Sequence, residues 1–256
     1  MIKIEFFYKP VKEFFKPVIS VDETLSIKKT VELILKTDTR RVPVVKGKEL
    51  VGIVTTSDIL NAFLRGEDLN QYISSIMIRE VITCQVTDTL EEVLRIMKIS
   101  RKGGLPVLEG RKLKGIITEK DFVRLLPLKS YGIKVSELMT KKPFFLKPNL
   151  SLLDTLKIMV NTGYRRFPIV ENEEVIGIIT NQDLLRYLWK KDFKLEALDE
   201  EMKKVMNKEV YSVQVNSDLG EVLKLMREMD IGGLVVLEEK KLAGIITERD
   251  ILNWIE

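Results

Sequence analysis

Gly52-Ile53-Val54-Thr55-Thr56-Ser57-Asp58 returns three times in this chain. The other copies are Gly115-Ile116-Ile117-Thr118-Glu119-Lys120-Asp121, Gly177-Ile178-Ile179-Thr180-Asn181-Gln182-Asp183 and Gly244-Ile245-Ile246-Thr247-Glu248-Arg249-Asp250. Their threonines, at 55, 118, 180 and 247, stand 63, 62 and 67 residues apart, a period that fits one small supersecondary unit per copy. Four copies fill the 256 residues, so function is to be sought in a repeat and not in one active site.

The rest of each unit recurs in register. Twelve residues before each threonine stand Pro43, Pro106, Pro168 and Val235, each next to an apolar residue that opens a short strand. Upstream, Val31, Ile34 and Leu35 return at helical spacing, as do Val93, Leu94 and Met97, then Leu156, Met159 and Val160, then Val222, Leu223 and Met226. Entry strands are read at 18–21, 81–86, 144–146 and 210–215. Lys46-Gly47-Lys48 and its counterparts read as hairpin turns, and a second helix begins at each Thr-x-x-Asp. The order is β-α-β-β-α. The expected units are 11–65, 73–127, 135–189 and 202–256, after an N-terminal arm, 1–10; the aromatic stretch through Phe15 is expected to pack on the body. The methionines on the helical stripes are expected in the core.

Composition narrows the chemistry. Apolar content is 45%, enough for a sizeable core, and no run approaches the roughly 18 apolar residues of a membrane span. Lys3, Glu5 and Lys9 break up any signal-like start, so the expectation is a soluble, cytoplasmic protein. There is no histidine, which removes the Ser-His-Asp and Cys-His pairs and the usual zinc sites. No paired catalytic carboxylate recurs beside the motif Asp, and no enzyme is expected. The single Cys84 reads as a strand residue. Lys and Arg number 42 against 38 Asp and Glu, well interleaved, which gives no basic stripe for nucleic acid.

The β-α-β-β-α units, the Pro-aliphatic strand and the Gly-aliphatic-aliphatic-Thr-x-x-Asp helix entry together resemble the CBS domain family, over about 11–256. That resemblance implies units 1 with 2 and 3 with 4 pairing through their sheets into two pseudo-twofold Bateman modules, 11–127 and 135–256. It is similar in organisation to the gamma subunit of AMP-activated protein kinase. It also implies that the Asp contacts ribose hydroxyls and the Thr lies near phosphate, which carries over to Thr55 and Asp58, Thr118 and Asp121, Thr180 and Asp183, and Thr247 and Asp250. Physical chemistry agrees, since unpaired N–H groups and the dipole at a helix start favour an anion. An ionised carboxylate accepts two hydrogen bonds. Ile82, Val86, Ile116 and Ile117 offer apolar walls for an adenine. A second reading stands beside it: Thr-x-x-Asp is also a capping box, worth about 0.5–2 kcal/mol to a helix with no ligand at all.

Odd and even units differ. Arg40-Arg41 and Arg165-Arg166 precede the Pro strand in units 1 and 3, where units 2 and 4 carry Gly103-Gly104 and Gly232-Gly233. The motif itself alternates, Thr-Glu-basic-Asp in the even units against Thr-Thr-Ser-Asp and Thr-Asn-Gln-Asp in the odd ones. The arginine pairs are read either as phosphate ligands, through their fork of donors, or as partners of surface carboxylates. Arg101 and Lys120 complete the basic set of candidates. Asp230 stands where unit 2 has Arg101, and its charge predicts a poor or empty fourth site. The expected function is a regulatory sensor of AMP, ADP or ATP that signals through a protein partner or a homodimer. A ligand-free assembly module and a sensor of S-adenosylmethionine are the alternatives.

Overall fold

The computed structural model describes residues 5–255. The chain is α/β and each unit has the expected order. Repeat 1 runs β1 (Val21–Asp22), α1 (Ile27–Thr37), β2 (Arg41–Lys46), β3 (Glu49–Thr55), α2 (Thr56–Leu64). Repeat 2 runs β4 (Cys84–Gln85), α3 (Leu90–Ser100), β5 (Gly104–Glu109), β6 (Lys112–Thr118), α4 (Glu119–Leu125). A short helix α5 (Val135–Leu138) and strand β7 (Thr140–Lys141) lead to repeat 3, with α6 (Leu152–Thr162), β8 (Arg166–Glu171), β9 (Glu174–Thr180), α7 (Asn181–Lys190). Repeat 4 has β10 (Ser212–Gln214), α8 (Leu219–Glu228), β11 (Gly233–Glu238), β12 (Lys241–Thr247), α9 (Glu248–Trp254).

Within each repeat the entry segment lies parallel to the Pro strand, and the Pro strand is antiparallel to the Gly strand. The same bulge interrupts all four hairpins, beside Val44, Val107, Ile169 and Val236. One entry strand fails to form: repeat 3 keeps a single bridge, Leu146 to Ile169. The cause is Pro148. In the other repeats the equivalent N–H groups of Glu23, Val86 and Val215 extend the ladder to Val45, Leu108 and Leu237. Proline has no N–H to give.

The chain forms two compact units, and each joins repeats that are not adjacent in sequence. Residues 19–81 and 144–209 make one, built on repeats 1 and 3; residues 1–18, 82–143 and 210–256 make the other, built on repeats 2 and 4. Ile34, Ile59 and Leu60 share a core with Leu156, Leu184 and Leu185. Leu94, Met97 and Phe122 share one with Leu223, Met226 and Ile251. Met97, Met159 and Met226 are buried on their stripes, as expected.

Short segments are exchanged between the repeats. A helical turn at Val11–Glu13 leads to Phe15 and Lys16 lying on repeat 2, whereas Ile73–Ser75 leads to Met77 and Ile78 lying on repeat 1. Likewise α5 and β7 serve repeat 4, and Met202–Lys204 leads to Met206 and Asn207 on repeat 3. Each turn buries its first residue, Val11, Ile73, Val135 and Met202. The glycine of the motif is required by this crossing. A Cβ at Gly52 would stand 2.5 Å from the Met77 sulfur, at Gly177 2.7 Å from that of Met206, at Gly244 2.5 Å from that of Met139, and at Gly115 2.2 Å from the Lys16 carbonyl oxygen.

The aromatic arm does pack on the body. Phe7 is buried in the core of repeats 2 and 4, with Phe6, Phe14 and Phe15 against it, while Tyr8 stays exposed; residues 1–4 lie outside the described residues. Between α7 and repeat 4, Ala197 and Leu198 are buried in the core of repeats 1 and 3.

Candidate functional site

The motif forms the same cap in every repeat. Thr55 donates its N–H and its hydroxyl to Asp58 Oδ2, both at 2.7 Å. Thr118 and Asp121, Thr180 and Asp183, and Thr247 and Asp250 repeat this at 2.8 and 2.6 Å. The Asp half of the capping-box reading is thus realised in all four repeats, and in repeats 1 and 3 the Thr hydroxyl also accepts from the Asp58 and Asp183 N–H, at 3.4 and 3.2 Å. The cap consumes only one carboxylate oxygen, and the fate of the second separates the repeats. Lys16 Nζ lies 2.6 Å from Asp121 Oδ1, and the Thr140 hydroxyl donates to Asp250 Oδ1 at 3.1 Å. Among the described residues Asp58 and Asp183 keep Oδ1 without a hydrogen bond, and neither oxygen is a buried unsatisfied atom.

The arginine pairs sit at these same helix starts. Arg41 stands opposite Thr55 and Arg166 opposite Thr180 across the hairpins, as Gly104 and Gly233 stand opposite Thr118 and Thr247. The carbonyls of Arg40 and Arg165 accept from the first helical N–H of α2 and α7, at 3.3 and 3.0 Å. The space that Gly232 leaves open is filled by the Glu248 carboxylate, 2.9 Å from where a Cβ would stand.

Lys120, Arg124 and Asp230 form one cluster in the unit of repeats 2 and 4. Lys120 Nζ is 2.5 Å from Asp230 Oδ1, and Arg124 bonds to the same oxygen. Partial burial works against the charged form of Asp230, but the hydrogen bond and charge of Lys120, with the charges of Arg124 and Lys16, outweigh it and hold its pKa below the usual carboxylate range. The charge of Asp230 is thus balanced inside the chain. Lys120 is committed to Asp230, not left open beside Asp121. Asp38, at the equivalent place in repeat 1, is bound in the same way by Arg186 of repeat 3 at 3.1 Å. Asp38, Arg101 and Gly163 each cap a helix in the left-handed region, and Asp230 adopts it one residue after the cap Met229. Arg101 lines a cavity of about 500 Å³ with Lys98, Glu119, Arg249, Leu94 and Leu252.

The alternation inside the motif has its explanation in which repeats face each other. Glu119 of repeat 2 accepts from Arg249 Nε of repeat 4 at 2.8 Å. In the other unit the Thr56 hydroxyl donates to Gln182 Oε1 at 2.9 Å, and Asn181 Nδ2 donates to the Ser57 hydroxyl at 3.0 Å. At the motif residues themselves, the even repeats meet through charge and the odd repeats through neutral hydrogen bonds. Of the proposed adenine walls, Ile82 is exposed, but Ile117 is fully buried core and Ile116 spends its backbone on Lys16. The sequence reading did not single out Lys16 or Thr140. A signal existed, since Phe15, Met77, Met139 and Met206 recur 62, 62 and 67 residues apart, each just before the crossing residue.

Among the described residues no Cys, Asp and Glu cluster fits a metal, and no helix is long and apolar enough to cross a membrane. Protein MJ1225 of Methanocaldococcus jannaschii is 27% identical over 93% of this chain and 95% of its own. Its crystal structure, described as that of a proposed archaeal homologue of gamma-AMPK, superposes with a TM-score of 0.89 at 26% identity, covering 96% of this chain and 100% of that one. A 33.4 kDa protein of the ribosomal RNA operon of Thermofilum pendens is 33% identical over 64% of this chain and 58% of its own. A conserved protein of Pyrococcus horikoshii shares the fold at a TM-score of 0.65 and 22% identity, covering 96% of this chain and 100% of that one. The CBS domain family model matches residues 11–65, 73–128, 135–190 and 202–256, the four repeats whose caps and crossings are described above, and the chain belongs to the CBS domain family.

Proposed function

We propose that the protein is a non-catalytic, cytoplasmic sensor that binds an adenosine nucleotide, AMP, ADP or ATP, at the Thr-x-x-Asp helix starts. The observation that carries this reading is the open Oδ1 of Asp58 and Asp183, each at the positive end of a helix and across a hairpin from an arginine. A carboxylate oxygen of that kind suits adjacent ribose hydroxyls, and the arginine fork suits phosphate. The likeness over nearly the whole chain to a protein described as a proposed gamma-AMPK homologue supports a regulatory role of the same kind. The reciprocal exchange of the 11–18 and 73–78 segments, and of 135–141 and 202–207, supports modules of 11–127 and 135–256. Output passes through a protein partner or a homodimer.

A ligand-free assembly module is the second reading, favoured by the internal partners that close Asp121 and Asp250. A thio-adenosine ligand such as S-adenosylmethionine has less use for Arg40, Arg41, Arg165 and Arg166. Native mass spectrometry of freshly purified protein tests these readings. Mass increments of AMP, ADP or ATP are expected. Protein with no increment, and no thermal shift with any adenosine ligand, overturns the sensor in favour of assembly.

A further inference from the structure

We propose that the four helix starts are of two kinds: those of repeats 1 and 3 take ligand, while those of repeats 2 and 4 are held by the chain's own side chains, with Lys16 standing in for ligand at Asp121. This rests on the adenosine reading and says which sites it applies to. The crossing segment decides the matter. It lays one residue against each motif glycine strand: Ile78 in repeat 1, Lys16 in repeat 2, Asn207 in repeat 3 and Thr140 in repeat 4.

Only two of these four reach the motif carboxylate. Lys16 places its ammonium 2.6 Å from Oδ1 of Asp121, whose side chain is only 9% exposed, while the Lys16 side chain itself is half exposed. Its backbone is pinned by reciprocal hydrogen bonds with Ile116 at 3.0 and 2.9 Å, and its carbonyl presses on Gly115. Thr140 closes Asp250 with a neutral hydroxyl, held in place by the pairing of β7 with β12. Ile78 has no polar side-chain atom to offer. Asn207 turns its Oδ1 to its own loop, accepting from the Glu209 N–H at 2.9 Å.

The same two repeats that keep an open carboxylate also carry the arginine pairs, so two independent features select the same sites. A ribose entering repeat 2 has to displace a charge-assisted bond from a nearly buried carboxylate, and a neutral hydroxyl is the weaker donor. Lys16 is therefore a selectivity residue: it acts on ligand by occupying the acceptor that ligand needs.

Calorimetric titration of the full chain with AMP and with ATP tests this. Saturation at two sites is expected for the unaltered protein. Asp58→Asn and Asp183→Asn, which keep an oxygen for the helix cap, should each remove one site. Lys16→Met, which keeps the side-chain stem and the backbone ladder, should add a third, and Lys16→Gln guards against a misfolded variant. Saturation at three or four sites without substitution overturns the inference, as does a count still at two in folded Lys16→Met and Lys16→Gln. Absence of binding by AMP, ADP and ATP alike overturns the adenosine reading itself, a different outcome from a wrong count.

Discussion

Arg249 Nε donates to Glu119 Oε1 at 2.8 Å, so the residue after the motif threonine in repeat 2 meets the residue two after it in repeat 4. The pair is partly sheltered, with side-chain exposures of 38% and 14%. Its counterparts in the other unit are uncharged, Thr56 with Gln182 and Ser57 with Asn181. A contact that is ionic in one unit and neutral in the other discourages exchange of partners between units, because a mispaired helix start would leave a charge unmatched.

Glu119→Arg sets like charges against each other and should lower stability by about 1–2 kcal/mol, somewhat above the range of an exposed ion pair. Adding Arg249→Glu restores the pair with its sense reversed and should recover at least half of the loss. Urea unfolding of the two single variants and the double one measures this as a coupling energy.

Alanine at the motif glycines should be graded by what each Cβ meets. Gly52→Ala presses on the flexible end of Met77, which can move, so a loss of about 1–2 kcal/mol is expected and Met77→Ala should relieve part of it. Gly115→Ala meets the Lys16 carbonyl and the Phe15 ring and should cost more. Thermal melts of both variants compare them, and equal losses would contradict the crossing geometry.

Cys84 should be inert to thiol reagents in the folded protein. Burial, with the nearby Asp88 charge adding to it, pushes its pKa up to about 12, so almost no thiolate exists at neutral pH. Labelling should follow global unfolding, and fast labelling in buffer would refute it.

Acid should destabilise the unit of repeats 2 and 4 through Asp218 and Asp230. Asp218 is partly desolvated, but it accepts from the N–H groups of Tyr131, Gly220 and Gly132 and from the Ser130 hydroxyl, and its pKa is lowered. Burial also opposes the charged form of Asp230, but Lys120 and its neighbours outweigh it and lower the pKa. A depressed carboxylate contributes stability that is fully present above its unfolded pKa, near 3.9, and is lost as pH falls through the folded value. Stability measured between about pH 5 and 2 should therefore fall, and Asp218→Asn should flatten that fall.

A nick within 128–132 should leave the protein in one piece. Both cores draw on residues from either side of that point, Ile34 with Leu156 in one and Leu94 with Leu223 in the other. The two fragments should co-elute in size exclusion until denaturant is added. Each fragment made alone would expose half of both cores and should aggregate.

Periodicity made the repeat legible. The helical stripes, the two-residue hairpin turns and the Thr-x-x-Asp caps are local, set by spacing and by hydrogen bonds three residues apart, and these appear where the sequence places them. Pro148 was also in view, yet its effect on the third entry strand shows only against the ladders of the other three. The cost of a missing N–H depends on whether a partner carbonyl waits for it.

What the sequence determined by itself was the number of repeats, their internal order, the helix caps and the alternation of odd and even motifs, because each is written in neighbouring residues. The tertiary structure decided the rest. That repeat 1 shares a core with repeat 3, that the motif glycines yield to a crossing segment, and that Lys16 and Thr140 close two of the four carboxylates all depend on residues far apart in the chain. Lys16 and Asp121 are joined by a 2.6 Å contact that only the fold creates. A lysine 105 positions away carries no local mark of its partner, since an ion pair is fixed by distance in space and leaves no period in the sequence.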